Sequence, residues 1–156
     1  MRRKNRLRKH YYAPVTREVD GVIDLSAVPA TGEFLLLNKW FTLIDSEVAE
    51  TTAEVDFYHM DGQATDVDNK TFSYPFEGQF DEEEPVHAAI AGYQDKTGDG
   101  VYIWFRTVSA SGKFERVGIA TIHDIVIGGG APSENEKFNF TIRYVGIPER
   151  KAVVAG

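Results

Sequence analysis

Residues 72–80 have the sequence FSYPFEGQF, in which large apolar side chains alternate with small or polar ones. One face carries Phe72, Tyr74, Phe76, Gly78 and Phe80, and the other carries Ser73, Pro75, Glu77 and Gln79. A period of two predicts a strand with one buried face. Because proline has no N–H to donate to a neighbouring strand, Pro75 predicts an edge strand or a bulge.

Four more segments are rich in the β-branched and aromatic residues typical of strands. They are Leu36–Ile44, Val101–Val108, Phe114–Ile127 with a break near Gly118, and Lys137–Val145. A hairpin turn is expected at residues 111–112 and a chain reversal at residues 128–132, GGGAP. Val22–Leu25 is either a further short strand or part of an irregular segment.

One helix is predicted directly after residues 72–80. Asp81 is a suitable N-cap, Glu84 completes a capping box, and Pro85 fits the first turn. The residues at helical spacing that would face a sheet are Val86, Ile90 and Tyr93, and the helix is expected to end at Gly98 or Gly100. Many strands with one helix predict a mainly β fold, a sandwich or barrel with a helix against it.

The charge of the chain is unevenly distributed. Its net charge is −7, yet residues 1–17 hold seven of the 17 basic residues and no acid, while the rest carries 10 basic and all 24 acidic residues. A basic arm on an acidic body predicts either nucleic-acid binding or docking on the acidic body of a neighbouring copy. The chain has no cysteine and no apolar run long enough to span a membrane, and no apolar segment of a secretory signal follows the basic start.

The length of 156 residues predicts a single domain, 1–156, with three distinct segments. Residues 1–12 are expected to be a basic N-terminal arm, residues 45–71 a long acidic loop or hairpin, and residues 150–156 a C-terminal tail. We expect the arm and the acidic segment to become ordered only against neighbouring subunits, because polar segments bury little apolar surface alone.

The sequence carries no convincing pattern for catalysis or metal binding. No two of the four histidines stand three or four positions apart. Residues 66–69 resemble the start of a calcium loop, but Lys70 stands where an oxygen ligand is needed. Residues 81–84, DEEE, suit the start of a helix better than a catalytic carboxylate pair. We therefore expect a protein that is not an enzyme and that has no catalytic residue, metal or cofactor.

Several short motifs follow one another between Phe72 and Pro148. They are EGQFD at 77–81, EPVHAAIAG at 84–92, TGD at 97–99, VYIWFR at 101–106, SG at 111–112, GIATIHDI at 118–125, GGGA at 128–131, FNFTI at 138–142 and GIP at 146–148. Their order, with the basic opening MRRKN at 1–5, resembles that of the tail tube (major tail) proteins of siphophages that infect Gram-positive bacteria. The resemblance does not extend to residues 13–35.

The resemblance implies a β-sandwich with a flanking helix whose copies form six-fold rings. The rings would stack into a hollow tail tube around a tape measure protein, between a tail terminator and distal tail or baseplate proteins. DNA would pass through the tube without specific binding. The implied location is the virion tail, after synthesis in the host cytoplasm and without membrane contact.

An acidic body suits such a conduit, because a basic wall would hold the phosphates of passing DNA. Lumen-facing acids are expected among Asp56, Asp61, Asp66, Asp68 and Glu77, with solvated loop acids as the equal alternative. Contacts between subunits are expected from Arg2, Arg3, Lys4, Trp40, Phe41 and Tyr58.

Two other functions fit the sequence. The first is the inner tube of a contractile tail, a tail-like bacteriocin or an injection system, all of which use the same fold. The second is a monomeric β-sandwich module that binds carbohydrate on exposed aromatic rings. The candidate rings are Trp40, Tyr58, Tyr102 and Trp104.

Overall fold

The structure is a computed structural model that describes residues 2–15, 28–56 and 63–153. Its strands are β1 (Lys9–Pro14), β2 (Leu35–Leu36), β3 (Phe41–Ile44), β4 (Glu47–Asp56), β5 (Gln63–Gln79), β6 (Tyr102–Val108), β7 (Phe114–Ile127), β8 (Lys137–Tyr144) and β9 (Arg150–Ala152). One helix, α1 (Pro85–Ala91), lies between β5 and β6, and short 3-10 turns occupy Asn5–Leu7, Thr31–Glu33 and Gly98–Val101.

All of the described strands belong to one antiparallel sheet. Its order is β2-β1-β6-β7-β8-β5-β3. Two strands lie outside this path: β4 pairs with β5, and β9 pairs with β7. The predicted mainly β fold with one helix is confirmed. The strands form a single sheet, however, instead of the two stacked sheets of a sandwich.

The sheet curls because a short crossover joins its two ends. β2 lies at one end of the strand order and β3 at the other, and only residues 37–40 separate them in sequence. Four residues span at most about 14 Å, so the two ends must approach each other. The ring of His10 on β1 accordingly lies 5.8 Å from that of Phe76 on β5. The result is a curled half-barrel, and Leu37 of the crossover is fully buried.

The inside of the curl is filled by aromatic side chains, the most deeply buried of which come from β5, β6 and β8. Phe76, Phe105, Phe138 and Phe140 are almost completely inaccessible to solvent, and the rings of Phe76 and Phe140 stack 4.6 Å apart. Offset and edge-to-face ring pairs of this kind add to the free energy of apolar burial. The predicted alternation of residues 72–80 is confirmed, since Tyr74 and Phe76 are buried whereas Glu77 and Gln79 are exposed.

Helix α1 covers the core with the predicted face. The buried side chains are Val86 and Ile90 of the helix and Tyr93 just beyond it. Pro85 occupies the first turn as expected, but the cap is Glu84, and its side chain makes no capping hydrogen bond. Asp81 instead accepts a hydrogen bond from the Glu83 N–H at 3.0 Å, so its predicted role as cap is wrong.

Three predicted boundaries also differ from the structure. The strand predicted at 36–44 is interrupted at Lys39–Trp40, where the chain crosses between the ends of the sheet and Trp40 adopts φ 67°. The helix ends at Ala91 instead of Gly98, because a series of turns follows. The irregularity of β7 lies between His123 and Val126, around Asp124 with φ 56°, and not at Gly118.

Both ends of the chain contribute strands. β1 begins at Lys9 and pairs with β6, so the segment 9–12 of the predicted basic arm belongs to the sheet. β9 pairs with the start of β7, within the predicted tail 150–156. The open prediction at Val22–Leu25 lies outside the described residues.

Pro75 explains a gap between two strands. β5 is flanked by β8 on one side and by β3 and β4 on the other, so Pro75 does not lie on an edge strand. β3 ends one residue before Asp45, whose N–H donates to the Pro75 carbonyl at 3.0 Å. A second hydrogen bond, from residue 75 back to the Asp45 carbonyl, cannot form because proline has no N–H. The ladder is therefore interrupted opposite Pro75, and the pairing resumes with β4.

Candidate assembly surfaces

The long acidic segment is a two-stranded ribbon that leaves the sheet. We define the ribbon as β4 with residues 63–72 of β5. Among the described strands β4 pairs only with β5, and β8 pairs with β5 only from Ser73 onward. Strands of ten residues reach about 30 Å. The described parts of the segment 45–71 are therefore two paired antiparallel strands, and residues 57–62 between them lie outside the described residues.

A ribbon of this kind needs another surface for its stability. Isolated two-stranded hairpins are marginal in water, and both outer edges of the ribbon present unpaired backbone groups. Residues 47–72 contain seven acids and one base, Lys70, which pairs with Glu50 at 3.3 Å. This composition favours a basic partner surface and opposes pairing of one ribbon with another.

The predicted lumen acids separate into two groups. Asp56 belongs to β4 and Asp66 and Asp68 to β5, so all three lie on the ribbon. Glu77 lies in the body of the sheet, where it is exposed on the face opposite Phe76. The remaining candidate, Asp61, lies outside the described residues.

The crossover at residues 37–40 is held by a buried histidine. The Nδ1 atom of His87 accepts a hydrogen bond from the Asp81 N–H at 3.1 Å, and its Nε2 lies 2.9 Å from the Lys39 carbonyl oxygen. Since Nδ1 is an acceptor, Nε2 carries the proton and donates it, which makes the ring neutral. His87 therefore connects the start of the helix segment to the crossover.

Two of the three aromatic residues predicted at subunit contacts are described, and their surroundings differ. Trp40 is half exposed, and its indole N–H donates to Asp81 Oδ2 at 3.2 Å. Phe41 packs into the core of its own chain, with its ring 5.4 Å from that of Phe76 and 5.2 Å from that of His87. Trp40 thus presents apolar surface for a partner, whereas most of the Phe41 side chain already contacts the core of its own chain.

The other predicted contact residues are placed as follows. Arg2, Arg3 and Lys4 are exposed and precede the first 3-10 turn. Tyr58 lies outside the described residues. Of the rings proposed for carbohydrate stacking, Trp104 is buried on the opposite face of β6, against Ala13 and Phe34, so it offers no platform.

A cavity of about 630 Å³ separates the two ends of the sheet. Its walls include Arg6, Arg8 and His10 on one side and residues 41–46 on the other. His10 is 5% exposed and is surrounded by the rings of Tyr74, Phe76 and Phe105. Burial, reinforced by the positive charge of Arg8, lowers the pKa of His10 to about 4.

This pKa makes the fold sensitive to mild acid. Unfolded His10 has a pKa near 6.5, so below that pH the unfolded chain binds a proton that the folded chain does not. Stability is therefore lost as pH falls from 6.5 towards 4. From pH 7 to pH 5 we expect His10 to lower the free energy of unfolding by about 2 kcal/mol.

Urea denaturation at both pH values tests this expectation. The wild type should lose about 2 kcal/mol more than His10→Gln over the same interval. His123→Gln is the matched control, because it removes a histidine at a more accessible position. Equal losses in wild type and His10→Gln would contradict the assigned pKa.

A second cavity, of about 260 Å³, is rich in arginine. Arg8, Arg116 and Arg150 line it, together with Glu115 and Phe114. We call it the arginine cavity. Sequence reasoning missed it, because Arg8 is more than 100 positions from Arg116 and Arg150. The three arginines are brought together only by the pairing of β9 with β7 beside the N-terminal segment.

No group of three or more histidine, aspartate or glutamate residues within the described ranges is arranged to hold a metal ion. In the same part of the chain, no helix has the length and apolar character needed to cross a membrane.

The fold is a single curled antiparallel sheet with one helix and a projecting ribbon, and solved structures of similar overall fold include two from gene transfer agent particles. One is the tail of an empty gene transfer agent (GTA) particle with C6 symmetry; the TM-score is 0.65 at 12% identity, over 97% of this chain and 100% of that chain. The other is the virion of a native GTA particle, with a TM-score of 0.57 at 14% identity, over 79% of this chain and 92% of that chain. No protein-family model matches the sequence, and no curated protein matches it significantly.

Proposed function

We propose that this chain is a structural protein of a phage-like tail, whose copies assemble into stacked rings that form a hollow tube. The observation that carries the proposal is the shared fold, which extends over almost the whole chain, with a protein in the tail of a GTA particle. The projecting ribbon supports it independently, because such an element requires a partner surface.

The ring is proposed to be six-fold. That GTA tail has C6 symmetry, and a chain with the same fold and complete coverage is suited to the same arrangement. Contacts around a ring are head-to-tail and close by rotation, whereas contacts between rings are head-to-tail and stay open, which gives a filament. A tape measure protein in the lumen, a tail terminator and distal tail proteins are the further partners that we propose, in a virion.

The exposed outer face of β5 and β8 is proposed to line the lumen. It is polar, with Glu77 beside Asn139 at its centre, and the same face carries Lys137 and Arg143 at the two ends of the pairing between β5 and β8. The carboxylate of Glu77 repels the phosphates of DNA, so the centre of this face does not retain DNA by counterion release. For Asp56, Asp66 and Asp68 the ribbon position favours contact with a neighbouring subunit instead.

A non-contractile siphophage tail is the specific form that we propose, on the sequence motifs described above. The solved structures come from gene transfer agents, so their likeness supports a phage-like tail and gives no support for a Gram-positive host. The inner tube of a contractile tail has the same requirements for fold and assembly. We propose a non-enzymatic role, since the site described above consists of assembly surfaces.

Assembly of the purified protein tests the proposal. Light scattering at increasing protein concentration should show cooperative growth, and negative-stain electron microscopy of the same sample should show rings or tubes of uniform width. A monomer that binds a glycan saturably would favour the carbohydrate-binding alternative and contradict the proposal.

A further inference from the structure

The arginine cavity carries positive charge that the described side chains do not neutralise. Its one acid, Glu115, is already paired with Arg106, whose Nε lies 2.6 Å from Glu115 Oε2 with both side chains largely buried. Among the described residues no carboxylate lies within ion-pair distance of Arg8, Arg116 or Arg150. Three guanidinium groups therefore share one small cavity in a protein whose net charge is −7.

Two of these arginines are held in place by aromatic rings and a carbonyl. Arg150 lies over the ring of Phe114 at 4.1 Å, and Arg116 lies over Phe72 at 4.9 Å while donating to the Pro148 carbonyl at 2.7 Å. Ring stacking and a fixed hydrogen bond reduce the entropy that is lost when a ligand binds. Guanidinium forks arranged in this way match the geometry of carboxylate or phosphate oxygens.

The ribbon supplies carboxylates, but not to the cavity of its own chain. Phe72, beneath Arg116, is the last ribbon residue before the sheet, so the cavity lies at the root of the ribbon. The distal acids Glu54, Asp56 and Asp66 stand six or more positions further along paired strands, about 20–30 Å away. A paired ribbon cannot fold back over that distance, so these acids can reach only the cavity of another copy.

The other acidic segment of the chain is a poorer candidate. Among residues 81–84, Asp81 already accepts hydrogen bonds from Trp40 and from the Glu83 N–H, and Glu84 pairs with Lys39 at 3.3 Å. These contacts lie within one chain and hold the crossover. The ribbon, in contrast, projects from the sheet and carries six acids against one base.

We propose that the arginine cavity binds the distal carboxylates of the ribbon of a second copy of this chain. The contact joins the tip of one ribbon to the root of the next, so it is head-to-tail and can either close a ring or extend a stack of rings. This inference rests on the proposed function and specifies which two surfaces meet.

A charge exchange between the two surfaces tests it. The root variant carries Arg8→Glu and Arg150→Glu, and the tip variant carries Glu54→Lys, Asp56→Lys and Asp66→Lys. Each variant alone places like charges on tip and root, so its critical concentration for assembly should rise about tenfold or more. An equimolar mixture offers an acidic tip to a basic root and a basic tip to an acidic root, so it should assemble again.

The matched control is Lys9→Glu with Lys151→Glu. Each lysine is the chain neighbour of a tested arginine, and neither lines the cavity. The control has the same change in net charge as the root variant and should assemble at wild-type concentrations. Circular dichroism should show that every variant is folded.

The outcomes separate this inference from the proposed function. Two results would overturn the inference while the proposed function stands, provided that the wild type assembles. In the first, the root variant assembles as well as the wild type; in the second, the mixture of root and tip variants does not regain assembly. If the wild type stays monomeric, sedimentation velocity of the mixed variants decides: a complex between root and tip variants supports the contact, and its absence overturns it. Loss of duplex DNA binding in an assembly-competent root variant would assign the cavity to phosphate and overturn the inference as well.

Discussion

Replacing Gly78 by alanine is expected to lower the free energy of unfolding by about 3 kcal/mol. A Cβ atom at this position would lie 2.5 Å from the Trp40 carbonyl oxygen and 2.8 Å from the Cα of Phe41. Both are backbone atoms, which cannot rotate away. Glycine in a strand is ordinarily a weak point that alanine improves, so a large loss here reports the close approach of β3 to β5.

The loss is large because several contacts depend on that approach. The Gln79 N–H donates to the Trp40 carbonyl at 3.0 Å, and the neighbouring Lys39 carbonyl accepts from His87. Moving the crossover outward weakens both hydrogen bonds and opens the core around Phe41. The curl of the sheet is closed at this position.

Urea denaturation of dilute, monomeric protein measures the effect. Gly32→Ala is the control, because a Cβ there meets no atom within 4 Å and should change stability by less than about 0.5 kcal/mol. A loss below about 1 kcal/mol for Gly78→Ala would show that β3 is free to move away from β5, contrary to the closed curl described above.

Removing the ribbon is expected to abolish assembly and to leave the monomer folded. Ala49 and Thr71 are cross-strand partners, so an Asn-Gly turn can join them directly in place of residues 50–70. The body of the sheet keeps all of its other strand pairs. The shortened protein keeps Phe72, which packs against the core and lies under Arg116. Assembly should be lost because the removed residues include the distal acids that we propose to contact a second copy.

Light scattering and thermal denaturation of the shortened protein measure the two parts of this prediction. Glu50→Gln with Lys70→Gln is the control, because it removes the ion pair but keeps the ribbon and the net charge. The control should assemble normally. Tubes from the shortened protein would contradict a role for the ribbon in assembly, and an unfolded monomer would show that the ribbon supports the sheet.

The sequence predicts the parts of the fold that depend on short-range patterns. The alternation at residues 72–80 and 137–145 fixes both the strands and their buried faces, and the helical spacing of Val86, Ile90 and Tyr93 identifies the helix face. These patterns are strong because each strand has one face in an aromatic core. Pro75 also predicts an irregularity, which lies in the neighbouring strand instead of its own.

Features that depend on distant residues are not visible in the sequence. The turn at Trp40 exists because the chain must pass from one end of the sheet to the other, which no local pattern encodes. The arginine cavity unites Arg8, Arg116 and Arg150 only after β1, β7 and β9 are placed. The ribbon is predicted as a hairpin or loop, but its projection from the sheet follows from where β8 stops pairing with β5.

End-on electron microscopy of the assembled protein is the most direct test of whether its copies form a hollow tube with six-fold symmetry. Class averages of particles viewed along the tube axis give the rotational symmetry and show whether the centre is open. We expect a hollow ring with six-fold symmetry, built from copies whose ribbons contact neighbouring subunits. A solid particle, a closed dimer or a protein that remains monomeric at every concentration and with preformed tail tips added would contradict it.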